Sequence, residues 1–474
     1  MKVTISAAPN NKKTILDLAE EQGVSLPCNC HGTNACGGRQ YSFPCDMVPT
    51  QDITISLSSD PKSIYSIDLE TPEDKSILPD CLLIDLGTTT VAMVFFHSKM
   101  RTVFHSITFA NPQRTFGDDV ISRIKYDVEF HDDYTLKTQI CNELSNRYNR
   151  ILAAYPDIRI DRCLIGANTT MIHLLMGFPL DGMAKHPFTP YSRGRLHMVY
   201  HGTEVMILPW LSAFIGGDIT CGLLSLAFDR RTDTCLLADL GTNGELALLH
   251  ERRLYTASAA AGPSFEGGGL SCGCPAVPGA ISDYEWRPAA PKIQTIRNKL
   301  PTGICGSGAV SILSQLITHG YLNASGGLSD RFPNGGMTIC RTSSSRPIIF
   351  TADDVRQMQL AVAAIGAGID TLCQRAGIST DQISSLYLAG GLGHHISVEK
   401  ASITGLFSNI APSRIISVGN ICLQGLSDLT AVPYLPSGRI KQLQDMCEEL
   451  ILANDAYFQQ QFIRHMMYEP PFTR

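Results

Sequence analysis

The sequence predicts an α/β protein in which two related subdomains follow a small α+β module at the N-terminus. An eight-residue segment, 81–88, recurs as 235–242 with seven identical positions. Apolar strand patterns alternate with helical patterns from residue 81 onward, as in α/β domains. The first 58 residues differ, because two short alternating segments flank a cysteine-rich loop. We therefore expect a two-part organisation, with the repeat in the larger part.

Length and composition limit the possible functions. A chain of 474 residues is too long for one ordinary hydrophobic core, so several domains are expected. The formal net charge is −6 and no basic tract stands out, which argues against nucleic-acid binding. No apolar run reaches membrane-spanning length, and the N-terminus lacks the features of a signal peptide. We expect a cytoplasmic protein that makes no membrane contact.

Composition shifts suggest the domain boundaries. A small cysteine module is expected over residues 1–58, and a proline-containing linker over 59–80. The first subdomain is predicted to span 81–228 and the second 229–474. Each subdomain then begins close to one copy of the repeat.

Each copy of the repeat is an apolar strand followed by Asp-Leu-Gly-Thr. Glycine lets the backbone approach a phosphate closely, while threonine hydroxyls and backbone amides donate to phosphate oxygens. Asp85 and Asp239 end the two strands and are predicted to organise Mg²⁺, through waters, and the attacking water. The predicted phosphate-contacting residues are Gly87, Thr88, Thr89, Gly241, Thr242 and Asn243.

Further glycine-rich segments extend this pattern. A predicted strand over 386–389 leads into Gly390 and Gly391, which we expect to lie under an adenosine. Glu266 is followed by three glycines and is a candidate for catalysis or Mg²⁺ binding. A single Asp-Leu-Gly-Thr would be typical of a hairpin turn. Two copies together with a later glycine pair instead predict ATP binding.

These motifs resemble those of the superfamily of acetate and sugar kinases, heat-shock chaperones and actins. Residues 85–90, 239–245 and 386–391 are similar to its first phosphate, second phosphate and adenosine motifs. The resemblance implies an actin-like ATPase made of two ribonuclease-H-like subdomains. The run 303–308 looks like a motif that connects the subdomains. Within it, Gly306, Ser307 and Gly308 would let a helix N-terminus approach the nucleotide or the opposing subdomain.

A narrower resemblance comes from additional runs of sequence. Those runs are 111–113, 117–124, 168–171, 212–218, 262–267 and 418–420. Together they resemble the reductive activators of corrinoid-dependent methyltransferases, over essentially all of residues 81–474. That family joins a plant-type ferredoxin module of β-grasp fold, with a 2Fe-2S cluster, to the ATPase domain.

The resemblance implies ATP-dependent electron transfer. The partner would be a corrinoid protein or corrinoid-dependent methyltransferase whose cobalt(II) is returned to cobalt(I). An external low-potential reductant would supply the electron.

The cysteine loop departs from the ferredoxin pattern. Cys30 and Cys36 fit the first two ligand positions of bacterial relatives, but Arg39 stands where the third thiolate is expected, and Cys45 comes early. Cys28 restores a count of four thiols. A rearranged iron–sulfur site is the preferred interpretation. A zinc site and a loop of free thiols remain alternatives, because four sulfurs also suit zinc.

Two other functions are consistent with the same ATPase motifs. A small-molecule kinase would need a substrate pocket with a carboxylate base, and the cysteine module argues against it. An ATP-gated binding protein that senses metal or redox state would bind nucleotide without electron transfer. An apolar stripe in the tail, 454–468, is expected to pack on the core, although it could instead form a homodimer.

Overall fold

A computed structural model of the chain describes residues 2–5, 53–56, 77–117, 119–129, 134–191, 196–200, 202–332, 335–342, 346–392 and 396–468. In the N-terminal module, strands β1 (Lys2–Ile5) and β2 (Ile53–Ser56) pair antiparallel. These are the two strands that the alternating pattern predicted. The cysteine loop between them lies outside the described residues.

The first large sheet has six strands. They are β3 (Cys81–Leu86), β4 (Thr90–His97), β5 (Thr102–Ala110), β6 (Arg162–Ala167), β7 (Leu196–Tyr200) and β8 (Thr203–Ile207). Their order is β5-β4-β3-β6-β8-β7. Strands β3, β4 and β5 form an antiparallel meander, whereas β6 and β8 continue the sheet parallel to β3.

The second large sheet repeats this arrangement. Its strands are β9 (Cys235–Leu240), β10 (Gly244–His250), β11 (Arg253–Ala259), β17 (Ser385–Ala389), β18 (Ile415–Gly419) and β19 (Cys447–Leu450). Their order is β18-β17-β9-β10-β11-β19, with β9 in the place of β3. Again a meander is followed by two parallel strands. The two predicted ribonuclease-H-like halves are therefore confirmed, with β19 added at one edge.

Two smaller sheets extend the second half. One contains β12 (Ala280–Glu285), β13 (Lys292–Thr295) and β14 (Gly303–Ile304). The other is the hairpin of β15 (Gly336–Arg341) and β16 (Pro347–Thr351).

Helices cover both large sheets. Those that follow the first meander are α1 (Val120–Glu129), α2 (Thr135–Ala154), α3 (Thr169–Met176), α4 (Asp181–Ala184) and α5 (Gly217–Ser225). The later ones are α6 (Gly306–Thr318), α7 (Ala352–Ala376), α8 (Val398–Ile403), α9 (Ile421–Leu429), α10 (Ser437–Met446) and α11 (Ala456–His465).

Helix α7 shows how local sequence sets its ends. Thr351 and Asp354 form a capping box at its start, and Gly377 ends it in the left-handed conformation. The tail helix α11 then packs along α7, with Phe458 and Phe462 against the core of the second half. Core packing of the tail stripe is thus confirmed, and a homodimer remains a prediction that this stripe does not support.

Helices α5 and α9 join the two halves. Their backbones approach so closely that a Cβ on Gly425 would lie 2.3 Å from the carbonyl oxygen of Cys221. Helix α9 also contacts β3 and β6 of the first sheet. The apolar core at this junction contains side chains from both sheets, including Leu83 and Leu237. The glycine at position 425 is therefore needed for the halves to meet.

Among the described helices, none combines the length and apolar character needed to cross a bilayer.

Candidate functional site

The first phosphate loop is a tight turn between β3 and β4. The Gly87 amide donates to the Thr90 carbonyl oxygen at 3.0 Å. A Cβ at Gly87 would lie 2.6 Å from the same oxygen, so this turn requires glycine. Thr88 and Thr89 follow at the apex of the turn. Glycine is thus needed for the turn itself, and the close approach of this backbone to a phosphate stays a prediction.

Three side chains elsewhere in the first half hold this loop. Asn111 Nδ2 donates to the Gly87 carbonyl at 2.9 Å, and Asn168 Nδ2 donates to the Thr88 hydroxyl at 2.8 Å. Arg123 is fully buried, and its Nη2 donates to the Thr88 carbonyl at 2.7 Å. Sequence reasoning placed these residues in family-like runs but gave none of them a role in the site.

The second phosphate loop, which follows β9, contacts the first phosphate loop, which follows β3. Thr242 Oγ1 lies 2.6 Å from Thr89 Oγ1, and it donates to Glu266 Oε2 at 2.9 Å. The Gly241 amide donates to the Asn243 carbonyl at 2.9 Å and closes the turn. Two loops whose threonines are 153 residues apart in the sequence are thereby brought into direct contact.

Half-buried carboxylates surround these loops. Asp85 and Asp239 stand at the ends of β3 and β9. Asp218 and Glu245 carry negative charge close to them, and Glu266 adds a fifth carboxylate beside Thr242. Asp218 lies at the start of α5, and sequence reasoning had not included it in the site. The sequence feature that could have identified Asp218 is the Gly-Gly-Asp run, which places an acidic residue at the start of a helix.

Burial and mutual repulsion raise the pKa values of these carboxyl groups. Burial, followed by the charges of Asp218 and Asp85, raises the pKa of Asp239 to about 8. Burial and the charge of Asp85 raise the pKa of Asp218 to about 7. For Glu245, burial and its acidic neighbours raise the pKa well above its usual range. The site therefore holds more negative charge than its surroundings stabilise.

This donor set fits a divalent cation held through water. Within the described ranges, no three acidic, His or Cys side chains converge closely enough to coordinate one metal ion directly. Mg²⁺ usually retains several waters and needs only one or two carboxylates besides the phosphates of its nucleotide. Asp85 and Asp239 therefore suit a magnesium site that is completed by phosphate oxygens.

The predicted adenosine loop lies next to the second strand-end acid. Gly390 has a left-handed φ of 88°, and a Cβ there would lie 2.7 Å from Asp239 Oδ1 and 2.5 Å from the Leu240 carbonyl. Its amide donates to the Gly419 carbonyl at 3.1 Å, and Gly391 follows. The glycine pair therefore borders the cleft beside the second phosphate loop.

The run 303–308 does not connect the two halves. Gly306 packs against the backbone of Phe265, where a Cβ would lie 1.9 Å from the carbonyl oxygen, and Gly308 packs equally tightly on Ile281. Both contacts are within the second half, and Ser307 is buried between them. The junction of the two halves is made by α5 and α9 instead. The other predicted role of Gly306, Ser307 and Gly308, the approach of this helix N-terminus to the nucleotide, stays a prediction. This turn instead places the start of α6 behind Glu266.

The predicted metal ligands Cys28, Cys30, Cys36 and Cys45 lie outside the described residues, as does Arg39.

Two family models match the chain. One, described as the C-terminal domain of RACo, the ASKHA domain, matches residues 233–471. The other, described as the RACo middle region, matches residues 81–231. ASKHA denotes the superfamily of acetate and sugar kinases, heat-shock proteins and actins, so the first match agrees with the predicted actin-like ATPase fold.

Two named relatives are similar to this chain in sequence, one over most of its length and the other over less than half of it. The corrinoid activation enzyme RamQ of Eubacterium limosum is 28% identical over 426 residues, which are 82% of this chain and 70% of that protein. The [Co(II) methylated amine-specific corrinoid protein] reductase of Methanosarcina barkeri is 30% identical over 245 residues, 46% of this chain and 43% of that protein.

A solved structure shares the fold. It is described as a reductive activator for corrinoid, iron–sulfur protein, and it superposes with a TM-score of 0.76 at 23% identity. The match covers 99% of this chain and 78% of that chain.

Proposed function

The chain belongs to the RACo family, and we propose that it is an ATP-dependent reductive activator of a corrinoid protein. In this function it transfers a low-potential electron to cobalt(II) on the partner, which becomes cobalt(I). The corrinoid is the substrate and belongs to the partner protein or methyltransferase. An external low-potential reductant supplies the electron.

The observation that carries this proposal is the direct contact between the two phosphate loops. Thr89 and Thr242 come from separate halves, and their hydroxyl oxygens lie 2.6 Å apart. Glu266 and the strand-end acids Asp85 and Asp239 border the same point. Phosphates bound by both loops would bridge the two halves of the protein.

Magnesium-nucleotide supplies the energy for the reaction. Asp85 and Asp239 would hold the hydrated ion, and a cation there would relieve the repulsion that raises the pKa of Asp239. Thr88, Thr89, Thr242 and Asn243 would hold phosphate oxygens. Asp218 and Glu266 would help to orient the attacking water.

ATP is needed because the electron transfer is uphill. Plant-type ferredoxin clusters have potentials near about −400 mV. The cobalt(II)/cobalt(I) couple is more negative, and each ~59 mV costs a factor of ten for one electron. Nucleotide must therefore change the donor–acceptor complex. Because the hydroxyls of Thr89 and Thr242 touch here, a phosphate between them would separate the loops, which gives the protein two states.

The electron would enter through the N-terminal module. Cys28, Cys30, Cys36 and Cys45 would hold an iron–sulfur cluster. Twelve of the sixteen cysteines lie in the described part of the chain. The remaining four of the sixteen are the proposed ligands.

The proposal can be tested by ATP hydrolysis under anaerobic conditions. We expect slow hydrolysis by the full chain alone and faster hydrolysis when a cobalt(II) corrinoid protein is added. A cobalt(I) corrinoid protein is the matched control and should stimulate less. If small metabolites stimulate hydrolysis and corrinoid proteins do not, a kinase is favoured. Tight nucleotide binding without turnover would favour an ATP-gated sensor.

A further inference from the structure

The carboxylate of Asp85 is held by a residue from the other half of the molecule. Asn420 Nδ2 donates to Asp85 Oδ2 at 2.7 Å, although the two residues are 335 positions apart. Asp85 ends β3 in the first sheet, whereas Asn420 lies between β18 and α9 in the second half. The bond therefore crosses the junction of the two halves.

The amide of Asn420 has a fixed orientation. Asn420 is the N-cap of α9, and its Oδ1 accepts from the Leu423 amide at 2.8 Å. With the oxygen held by the helix, the amide nitrogen faces Asp85. Serine or aspartate could cap the helix equally well. Of these three, asparagine has the longer neutral side chain, whose amide nitrogen donates to Asp85 while its oxygen caps the helix.

Helix α9 cannot shift away from Asp85 without losing close contacts. A Cβ on Gly222 of α5 would lie 2.6 Å from Ile421, the first residue of α9. The Cys422 thiol also lies beside Asp85 and packs over Gly166, the ladder partner of Asp85. The start of α9 therefore holds Asp85 through the amide of Asn420, with the Cys422 thiol beside it.

The same turn contacts the predicted adenosine loop. The Gly419 carbonyl accepts from the Gly390 amide at 3.1 Å, directly before Asn420. Gly390 in turn adjoins Asp239. Residues 419 and 420 thus touch the glycine pair on one side and Asp85 on the other.

We propose that Asn420 is a positioning residue for ATP hydrolysis, which orients Asp85 and links it to the adenosine loop. The inference rests on the proposed function, because it assigns Asp85 to the hydrated magnesium of bound nucleotide. Residues that orient a metal-binding carboxylate typically change metal affinity or activity by about 10- to 100-fold when they are replaced.

Serine at position 420 separates positioning from helix capping. Asn420→Ser keeps a cap for α9 but is too short to reach Asp85. We expect kcat for ATP hydrolysis to fall about 10- to 100-fold and the Mg²⁺ concentration for half-maximal rate to rise about tenfold. Asn420→Asp keeps the cap but sets a second negative charge against Asp85, so its loss should be larger. The melting temperature of Asn420→Ser should stay close to that of the wild type.

Asp455→Ser is the matched control, since Asp455 caps α11 in the same way, accepting from the Phe458 amide at 2.9 Å on the tail helix that packs along α7. It should leave the Mg²⁺ dependence unchanged. Wild-type kcat and Mg²⁺ dependence in Asn420→Ser would overturn the inference. Equal losses in Asp455→Ser would do the same, because they would show a purely structural role. A wild-type protein without Mg²⁺-dependent hydrolysis would instead refute the proposed function on which the inference depends.

Discussion

The two phosphate loops have almost the same sequence and the same place in their sheets, yet their surroundings differ. The first loop is held by three side chains of its own half, including the buried Arg123. The second loop relies on its own turn and on the bond from Thr242 to Glu266. Among the described residues, Arg123 is the one arginine with a fully buried side chain.

The surroundings of the two strand-end acids, Asp85 and Asp239, differ in a similar way. Asp85 accepts a hydrogen bond from Asn420, whereas Asp239 faces other carboxylates and the backbone of Gly390. The first loop is therefore held by side chains of the protein itself, and we propose that a cation and a phosphate complete the second. The repeated sequence supplies the fold of each loop, but the surrounding residues determine what each loop does.

The largest expected effect comes from neutralising the second acid. Asp239→Asn removes the charge that a magnesium ion would meet, so corrinoid-stimulated ATP hydrolysis should fall about 10²- to 10³-fold. Asp233→Asn is the control, because Asp233 precedes the same strand at its other end and pairs with Arg231. It should change the rate less than about twofold. Unchanged hydrolysis in Asp239→Asn would remove Asp239 from the mechanism.

Replacing the buried arginine tests the support of the first loop. Arg123→Met leaves the carbonyls of Thr88 and Gly117 without their donors, so the free energy of unfolding should fall by about 3 kcal/mol. Urea denaturation measures this change. Lys125→Met on the same helix breaks only an exposed pair with Glu129 and should cost less than about 1 kcal/mol. Equal costs for the two variants would contradict the asymmetry between the loops.

The smallest expected effect is a pH dependence of stability. The folded-state pKa of Asp239 is about 8, against an ordinary value of 3.8, so the folded protein binds the extra proton. The contribution of Asp239 to the free energy of unfolding is fully present at a pH below its ordinary pKa, and it is lost as the pH rises toward 8. The melting temperature of the nucleotide-free protein should therefore fall by a few degrees between pH 6 and pH 8.

Asp239→Asn should reduce that fall and melt at a higher temperature than the wild type at pH 8. Asp157→Asn, at an exposed loop position, is the control and should keep the wild-type slope. A steeper fall of the melting temperature with pH in Asp239→Asn would contradict this prediction, because it would show that the folded protein stabilises the negative charge of Asp239.

The local sequence was sufficient to predict the elements whose conformation depends on residues close together in the chain. The repeated strand-turn and the glycine pair were predicted, because tight turns depend on a few neighbouring residues. The ends of the helix capped by Thr351 and Gly377 likewise depend on a few neighbouring residues. The duplicated sheet followed from the repeat. Its sixth strand, β19, did not, because a short edge strand of glutamates lacks the usual pattern.

The supporting residues of the site could not be found in this way. Arg123 and Asn420 act on residues 35 and 335 positions away, and neither sits in a local pattern that marks a ligand. Asp218 has a local signal, the Gly-Gly-Asp run, but that run does not say which other acids it lies near. Their roles arise only when β3, α5 and α9 are packed together. The mistaken connecting motif at 303–308 has the same origin, because small residues indicate close packing without saying which partner they meet.

The most direct test of the central claim is ATP-dependent formation of cobalt(I). The full chain would be purified anaerobically, assayed for iron and sulfide, and mixed with a cobalt(II) corrinoid protein and a low-potential one-electron donor. We expect protein-bound iron and sulfide, and a cobalt(I) spectrum that appears with Mg²⁺ and ATP but not with ADP. An iron-free protein, or cobalt(I) formed equally fast without ATP, would contradict the account.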